Sequence, residues 1–203
     1  MSQFEYIMIP AGIVLGLAIA HLLSGLGKTL FRLTGHGEPI KTSWVHTIWV
    51  LNSGFWVYTF WWYTFNRSQL EVWPLSTYLL LIATPIMMYL QCVILFPHRF
   101  DDIPDVGQYF LDIRKWYYSL FVVSVLVDLA DALFGRGGAD YFTSLGGSML
   151  VITTLSVVIP IAGCISRNLR AQGALGILLL VAQVWQMFND HPFLGSQLPG
   201  GGP

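Results

Sequence analysis

Residues 6–28, YIMIPAGIVLGLAIAHLLSGLGK, carry no charged side chain before Lys28. A hydrocarbon core about 30 Å thick takes roughly 20 apolar residues of helix, so this stretch reads as a membrane span from Tyr6 to Leu26. Five more windows of the same kind follow: Trp44 to Phe65, Trp73 to Phe96, Trp116 to Phe134, Leu145 to Ile165 and Ala171 to Phe188. The last three are less regular. Asp128 and Asp131 interrupt the fourth, Pro160 the fifth, and Gln183 and Gln186 the sixth, so a count of five spans is the alternative. Composition points the same way. Of 203 residues 55% are hydrophobic and only 10% charged, where a soluble domain is about a quarter charged. A soluble enzyme, a disordered chain and a secreted disulfide scaffold are excluded. Ten Lys plus Arg against eleven Asp plus Glu leave no basic surface for nucleic acid. The expected fold class is all-α: a polytopic integral membrane protein, one domain built as a bundle of six transmembrane helices.

Basic residues set the orientation, because Lys and Arg are retained on the cytoplasmic side during insertion. Eight of the ten fall in alternate connections: Lys28, Arg32 and Lys41, then Arg99, Arg114 and Lys115, then Arg167 and Arg170. The other connections hold only Arg67 and Arg136. Both termini are therefore expected outside. The start, MSQFEYIMIP, has no basic residue, so it lacks the charged region of a cleavable signal peptide. Cys92 and Cys164 read as reduced thiols in the interior. Three spans before the connection Pro97 to Lys115 and three after it match an inverted-repeat layout, but the halves show no repeat. The ending GSQLPGGGP has the composition of a flexible tail.

Four groups of residues are candidates for function. Gly12, Gly16, Ala20 and Ser24 recur every four positions, a small-residue stripe along which a helix of this chain or of a partner can pack closely. Trp49 and Trp56 stand one heptad apart in the aromatic second span, as a packing surface or a wall for a lipid, quinone or pigment ring. His21, Asn52 and Gln91 fall at similar depths, roughly 8 to 12 Å from the basic boundary at about 1.5 Å per residue, and could meet in one layer. Asp128 and Asp131 share a level with Gln183 and Gln186. A carboxylate in hydrocarbon needs a partner, water or a proton, so this set is either interhelical glue or a proton or ion pathway.

Two metal readings arise. His21 and His46 differ in depth by about 7 Å, which suits opposed haem ligation poorly. His98, Asp101, Asp102 and Asp105 form the densest group of oxygen and nitrogen ligands, of a kind that suits Mg²⁺ or Ca²⁺, though their spacing matches no complete motif. P-loop, HExxH, voltage-sensor and retinal-lysine patterns are all missing.

The segment running from LFP at Leu95 to Pro97, through Tyr109 and Phe110, to RKW at Arg114 to Trp116 resembles small multi-pass membrane proteins of bacteria. The resemblance implies a bacterial inner membrane and transfers no site residue. The leading expectation is a non-catalytic subunit or scaffold of a larger membrane assembly, in contact with lipid and with other subunits or copies of itself. A proton, ion or small-solute transporter using Asp128, Asp131 and His21 is the alternative, and a metal-dependent enzyme using the 98–105 loop is the third.

Overall fold

Ser2 opens the first helix with a reciprocal cap: its hydroxyl accepts the Glu5 N–H (3.2 Å) while the Glu5 carboxylate accepts the Ser2 N–H (2.7 Å). The computed structural model describes residues 2–36, 38–65, 67–68, 70, 72–100, 103–135, 138 and 147–190. Within them lie α1 (Gln3–Leu33), α2 (Trp44–Phe65), α3 (Leu75–Leu95), α4 (Val106–Gly135), α5 (Gly147–Ile165) and α6 (Leu169–Asp190). Every expected window falls on a helix, and no strand occurs among the described residues. The tail after Asp190 and Arg136 lie outside them.

Two boundaries move. α1 continues past Lys28 to Leu33, and α4 begins at Val106 rather than Trp116. By hydropathy the polar run from Gln108 to Lys115 reads as a connection, because hydropathy does not distinguish a helix that projects from a bilayer from a loop. Here it is helical, with Gln108 bonded to Asp112 one turn on (3.0 Å). Pro10, Pro85 and Pro160 all sit inside continuous helices, a tolerance known from membrane helices, where neighbours re-satisfy the freed backbone groups.

Five helices, all but α2, are long and apolar enough to cross a membrane. α2 has 22 residues and no Asp, Glu, Lys or Arg, and His46, Thr47, Asn52, Ser53, Thr59 and Thr64 punctuate its apolar and aromatic residues. Five of these six polar groups point inward. His46, Asn52, Ser53, Thr59 and Thr64 are buried, whereas Leu51, Tyr58 and Trp61 face out. The rest of the outer surface is apolar too: Ile13, Leu17 and Leu23 on α1, Leu79 on α3, Val158 and Ile161 on α5, and Val181 on α6 are exposed. A water-facing monomer rarely shows so much contiguous apolar surface.

The helices close into a ring in the order α1, α3, α4, α5, α6, α2, and α2 leans inward to touch α3 and α4 as well. One end of the ring gathers the basic connections. Arg32 reaches the Phe100 carbonyl (3.1 Å), Lys41 pairs with Asp105 (2.7 Å), and Arg114 bonds the Ser166 carbonyl (3.1 Å). At the opposite end Phe4 packs on Phe65 and Trp73.

α1 shows how the packing is specified. Its buried residues, Met8, Ala11, Leu15, Ala18, Leu22 and Gly25, alternate steps of three and four, one seam facing the bundle. The seam ends where the Phe96 ring lies flat on Gly25: a Cβ there would come within 2.3 Å of the ring. Gly25→Ala should therefore cost about 1–3 kcal/mol of stability by overpacking. Gly27→Ala, where a methyl meets nothing within 4 Å, should cost nothing. Thermal unfolding of the two variants in mild detergent checks the contrast.

Candidate functional site

The interior is an aromatic cluster with a polar frame. Trp49 of α2 is fully buried, stacked on Phe110 (6.0 Å between centroids) and edge-on to Tyr117 (5.5 Å) and Tyr118 (5.2 Å) of α4. It is enclosed by the chain's own rings, so packing accounts for it and it offers no wall to a lipid, quinone or pigment. Trp56 is half-buried against Phe121 (4.4 Å). Glycines make room for these rings. A Cβ on Gly163 would come within 2.3 Å of the Tyr118 ring, and one on Gly173 within 2.1 Å of Trp44.

Around this cluster each donor finds a carbonyl or hydroxyl on another helix. The Trp49 indole N–H donates to the Gln172 carbonyl (3.2 Å), Asn52 to the Gly176 carbonyl (3.0 Å), and Ser53 shares a hydrogen bond with Tyr117 (2.9 Å). Gln172 joins three helices. Its amide donates to the carbonyls of Gly163 and Ser166 (both 2.8 Å), closing the end of α5, while its oxygen accepts the Tyr118 hydroxyl. Arg114, also buried, adds its Nε–H to the Ser166 carbonyl, a cation at a helix C-terminus. Inspection of the sequence missed Gln172, Tyr117, Tyr118 and Arg114. The available signal was a glutamine just inside an apolar window, beside glycines spaced to admit rings.

The layer expected of His21, Asn52 and Gln91 does not assemble. Asn52 turns to α6, Gln91 donates to Ser124 of α4 (3.4 Å), and His21 Nε2 is buried without a hydrogen-bond partner. Similar depth leaves each helix free to aim its polar residue at a different neighbour. His46 is likewise committed: its Nε2 donates to the Leu95 carbonyl (2.7 Å) and its ring packs edge-on to Phe96.

At the other end the expected Asp–Gln group is divided. Asp131 is buried and paired with Arg67 from the α2–α3 connection: both guanidinium nitrogens reach the two carboxylate oxygens. The side chains are only 5% and 14% exposed. From the sequence Arg67 reads as a loop cation out of reach, yet Asp131 lies four residues before the end of α4, about 6 Å of rise. Asp128, three residues back, is on the exposed side. Gln186 donates to the Met149 sulfur, and Gln183 Oε1 is buried without a partner. A bidentate pair between guanidinium and carboxylate holds charge in place and satisfies both ions, which is the chemistry of glue.

The stripe on α1 also divides. Gly12 lies beneath the Trp61 ring, where a Cβ would stand 3.1 Å from the ring carbons, but Gly16, Ala20 and Ser24 are exposed, and a methyl on Gly16 would meet nothing within 4 Å. The seam that packs inside the chain is the neighbouring heptad. Asp101 and Asp102 of the suspected metal group lie outside the described residues. Asp105 is taken up otherwise: it accepts the N–H groups of Gly107 (2.8 Å) and Gln108 (3.1 Å) as the cap of α4, and pairs with Lys41. No group of three metal-binding side chains occurs among the described residues. Both cysteines are free thiols.

The chain matches no known protein family, no curated protein and no solved structure.

Two outcomes follow from these pairings. Removing one ion of a buried pair strands the other, so Asp131→Ala should lower stability by about 3–5 kcal/mol, while the double replacement Arg67→Met with Asp131→Leu should restore most of it. A double-mutant cycle on thermal unfolding measures both. The Lys41 ammonium, with the Gln108 and Gly107 N–H groups, holds the Asp105 carboxyl below its usual value. The clip therefore contributes fully above the unfolded-state pKa of about 3.9 and is lost as pH falls through the lower folded value. Carboxyl-carbon NMR should place the Asp105 midpoint below about 3.9, and Lys41→Met should move it upward.

Proposed function

We propose that the chain is a six-helix integral membrane protein of the bacterial inner membrane, with its basic end in the cytoplasm and both termini outside. It serves there as a non-catalytic subunit of a larger membrane assembly. Eight of ten basic residues at one end support the orientation. The length of α2, its lack of charge and its inward polar face support counting it as the sixth span.

One observation carries the subunit role. Gly16, Ala20 and Ser24 form an exposed strip of small side chains on α1, beside a seam that the chain has already filled. In lipid, helices gain by approaching closely along small residues, and this strip leaves room for another protein's helix. Four of the buried polar groups favour the same reading over transport, while His21 Nε2 and Gln183 Oε1 are buried without a partner. Asp131, Asn52, Gln91 and Gln172 are bonded within the bundle.

Native mass spectrometry of the protein taken from its own membrane in mild detergent is the test. The expected mass exceeds that of one chain, and Gly16→Leu should release single chains with unchanged helix content and melting temperature. A wild-type protein that leaves the membrane as a lone folded chain overturns the reading. If that lone chain also carries protons into liposomes, transport replaces it.

A further inference from the structure

The basic end of the bundle carries two groups of cations. In the cleft beside the last turns of α1, Lys28, Arg32 and Arg99 surround Phe100, and both arginines there are already engaged. The second group stands where α4 meets the turn between α5 and α6. Arg114 is the only Lys or Arg buried among the described residues, at 6% exposure. Its Nε–H and Nη1–H groups meet the carbonyls of Ser166 (3.1 Å) and Leu111. Lys115 follows it on α4, Arg167 and Arg170 belong to the turn, and all three are exposed. None of the four pairs with a carboxylate among the described residues. The acid that precedes them on α4, Asp112, accepts a hydrogen bond from Gln108 (3.0 Å). The turn itself is fixed. The Ser166 carbonyl also accepts the Gln172 amide (2.8 Å), the Ser166 hydroxyl accepts the Asn168 N–H (3.2 Å), and the Asn168 side chain accepts the N–H groups of Arg170 (2.9 Å) and Ala171 (3.4 Å).

We propose that this turn binds the phosphate of an anionic membrane lipid. Lys115, Arg167 and Arg170 supply the contacts, with Arg114 holding the turn against α4. Guanidinium groups match the oxygens of a phosphate in pairs, and these carry charge that no acid of the chain neutralises. Two tryptophans set the level. Trp44, 55% exposed, lies over Gly173, three residues or about 4.5 Å of helical rise from Arg170. Trp116, 71% exposed, follows Lys115 directly. Exposed tryptophans gather at the headgroups, so the cations beside them stand where lipid phosphates lie. The surroundings select a lipid over a soluble anion. Toward the middle of the bundle from the turn, Ile161 and Ile165 on α5 and Ile177 and Leu178 on α6 are exposed, a path along which acyl chains can lie while the headgroup reaches the cations. Juxtamembrane Lys and Arg at the cytoplasmic surface are drawn to anionic lipids in the same way. The inference rests on the membrane reading above and is independent of the subunit role.

Release of the protein from its membrane by detergent and not by alkaline carbonate checks the membrane reading separately. The site is tested by native mass spectrometry of delipidated full-length protein titrated with phosphatidylglycerol, with phosphatidylcholine of the same acyl chains and with inorganic phosphate. Phosphatidylglycerol should form a discrete one-to-one adduct at concentrations where phosphatidylcholine forms none. Arg167→Gln with Arg170→Gln, both at exposed positions, should weaken that adduct on the order of tenfold or more. Lys28→Gln with Lys41→Gln removes the same charge from the same end outside the turn and should leave it unchanged. Equal binding of the two lipids, or equal loss in both double variants, overturns the site. Inorganic phosphate that binds as tightly as phosphatidylglycerol overturns the lipid as its source, and so does a protein partner that the arginine double variant releases in place of a lipid.

Discussion

A polar atom enclosed in an apolar bundle gains by finding its partner inside that bundle, and apart from a few buried atoms such as His21 Nε2 and Gln183 Oε1 this architecture answers to that constraint. α2 shows it most directly. Most of its polar residues are buried, together with Val45, Trp49, Val50, Val57 and Phe60, whereas Leu51, Tyr58 and Trp61 face out. Trp49 and Asn52 reach carbonyls of α6, Ser53 reaches Tyr117 of α4, and His46 reaches the end of α3. Each such bond is worth about 1 kcal/mol. Together they fix the rotation of α2 about its axis, and with it the place of the aromatic cluster.

The same constraint governs the two helix ends where charge is buried. Arg114 closes α5 by bonding the Ser166 carbonyl, and Arg67 reaches from a connection to neutralise Asp131. In both cases a cation near the boundary extends a long side chain inward while its backbone stays at the edge. Glycine serves the interior in a complementary way. Gly25, Gly163 and Gly173 lie directly under Phe96, Tyr118 and Trp44, so rings occupy space that a larger residue on the facing helix would take.

α1 stands apart because only one of its faces is used inside the chain. Its heptad seam meets the bundle, its small-residue strip is left bare, and its last turns carry cations above an aromatic floor. A single helix thus combines three surfaces of different chemistry: a packed seam, a strip open to another helix, and a basic cleft. The strip runs along the apolar middle of the helix and the cleft opens at its end.

The positions of the helices were legible in the sequence, because helix length and apolarity are properties of consecutive residues. So was the gathering of basic residues at one end, which the alternation of short connections imposes. Which polar residue bonds which was not. Asn52 and Gly176 lie 124 positions apart, and Arg67 and Asp131 lie 64 apart; their meeting depends on how each helix is rotated and how far a loop side chain reaches. Depth along a helix can be counted from the sequence, whereas direction around it is set by the packing of every neighbour. His21, Asn52 and Gln91 therefore share a level and never a site, and Asp128 and Asp131 part company within one turn. Lys28, Arg32 and Arg99 read only as topological charges until the fold brought them to one cleft. The sequence by itself determined what kind of helices this chain forms and which end is basic. The tertiary structure alone decided which faces they bury, because burial is a relation between segments distant in the chain.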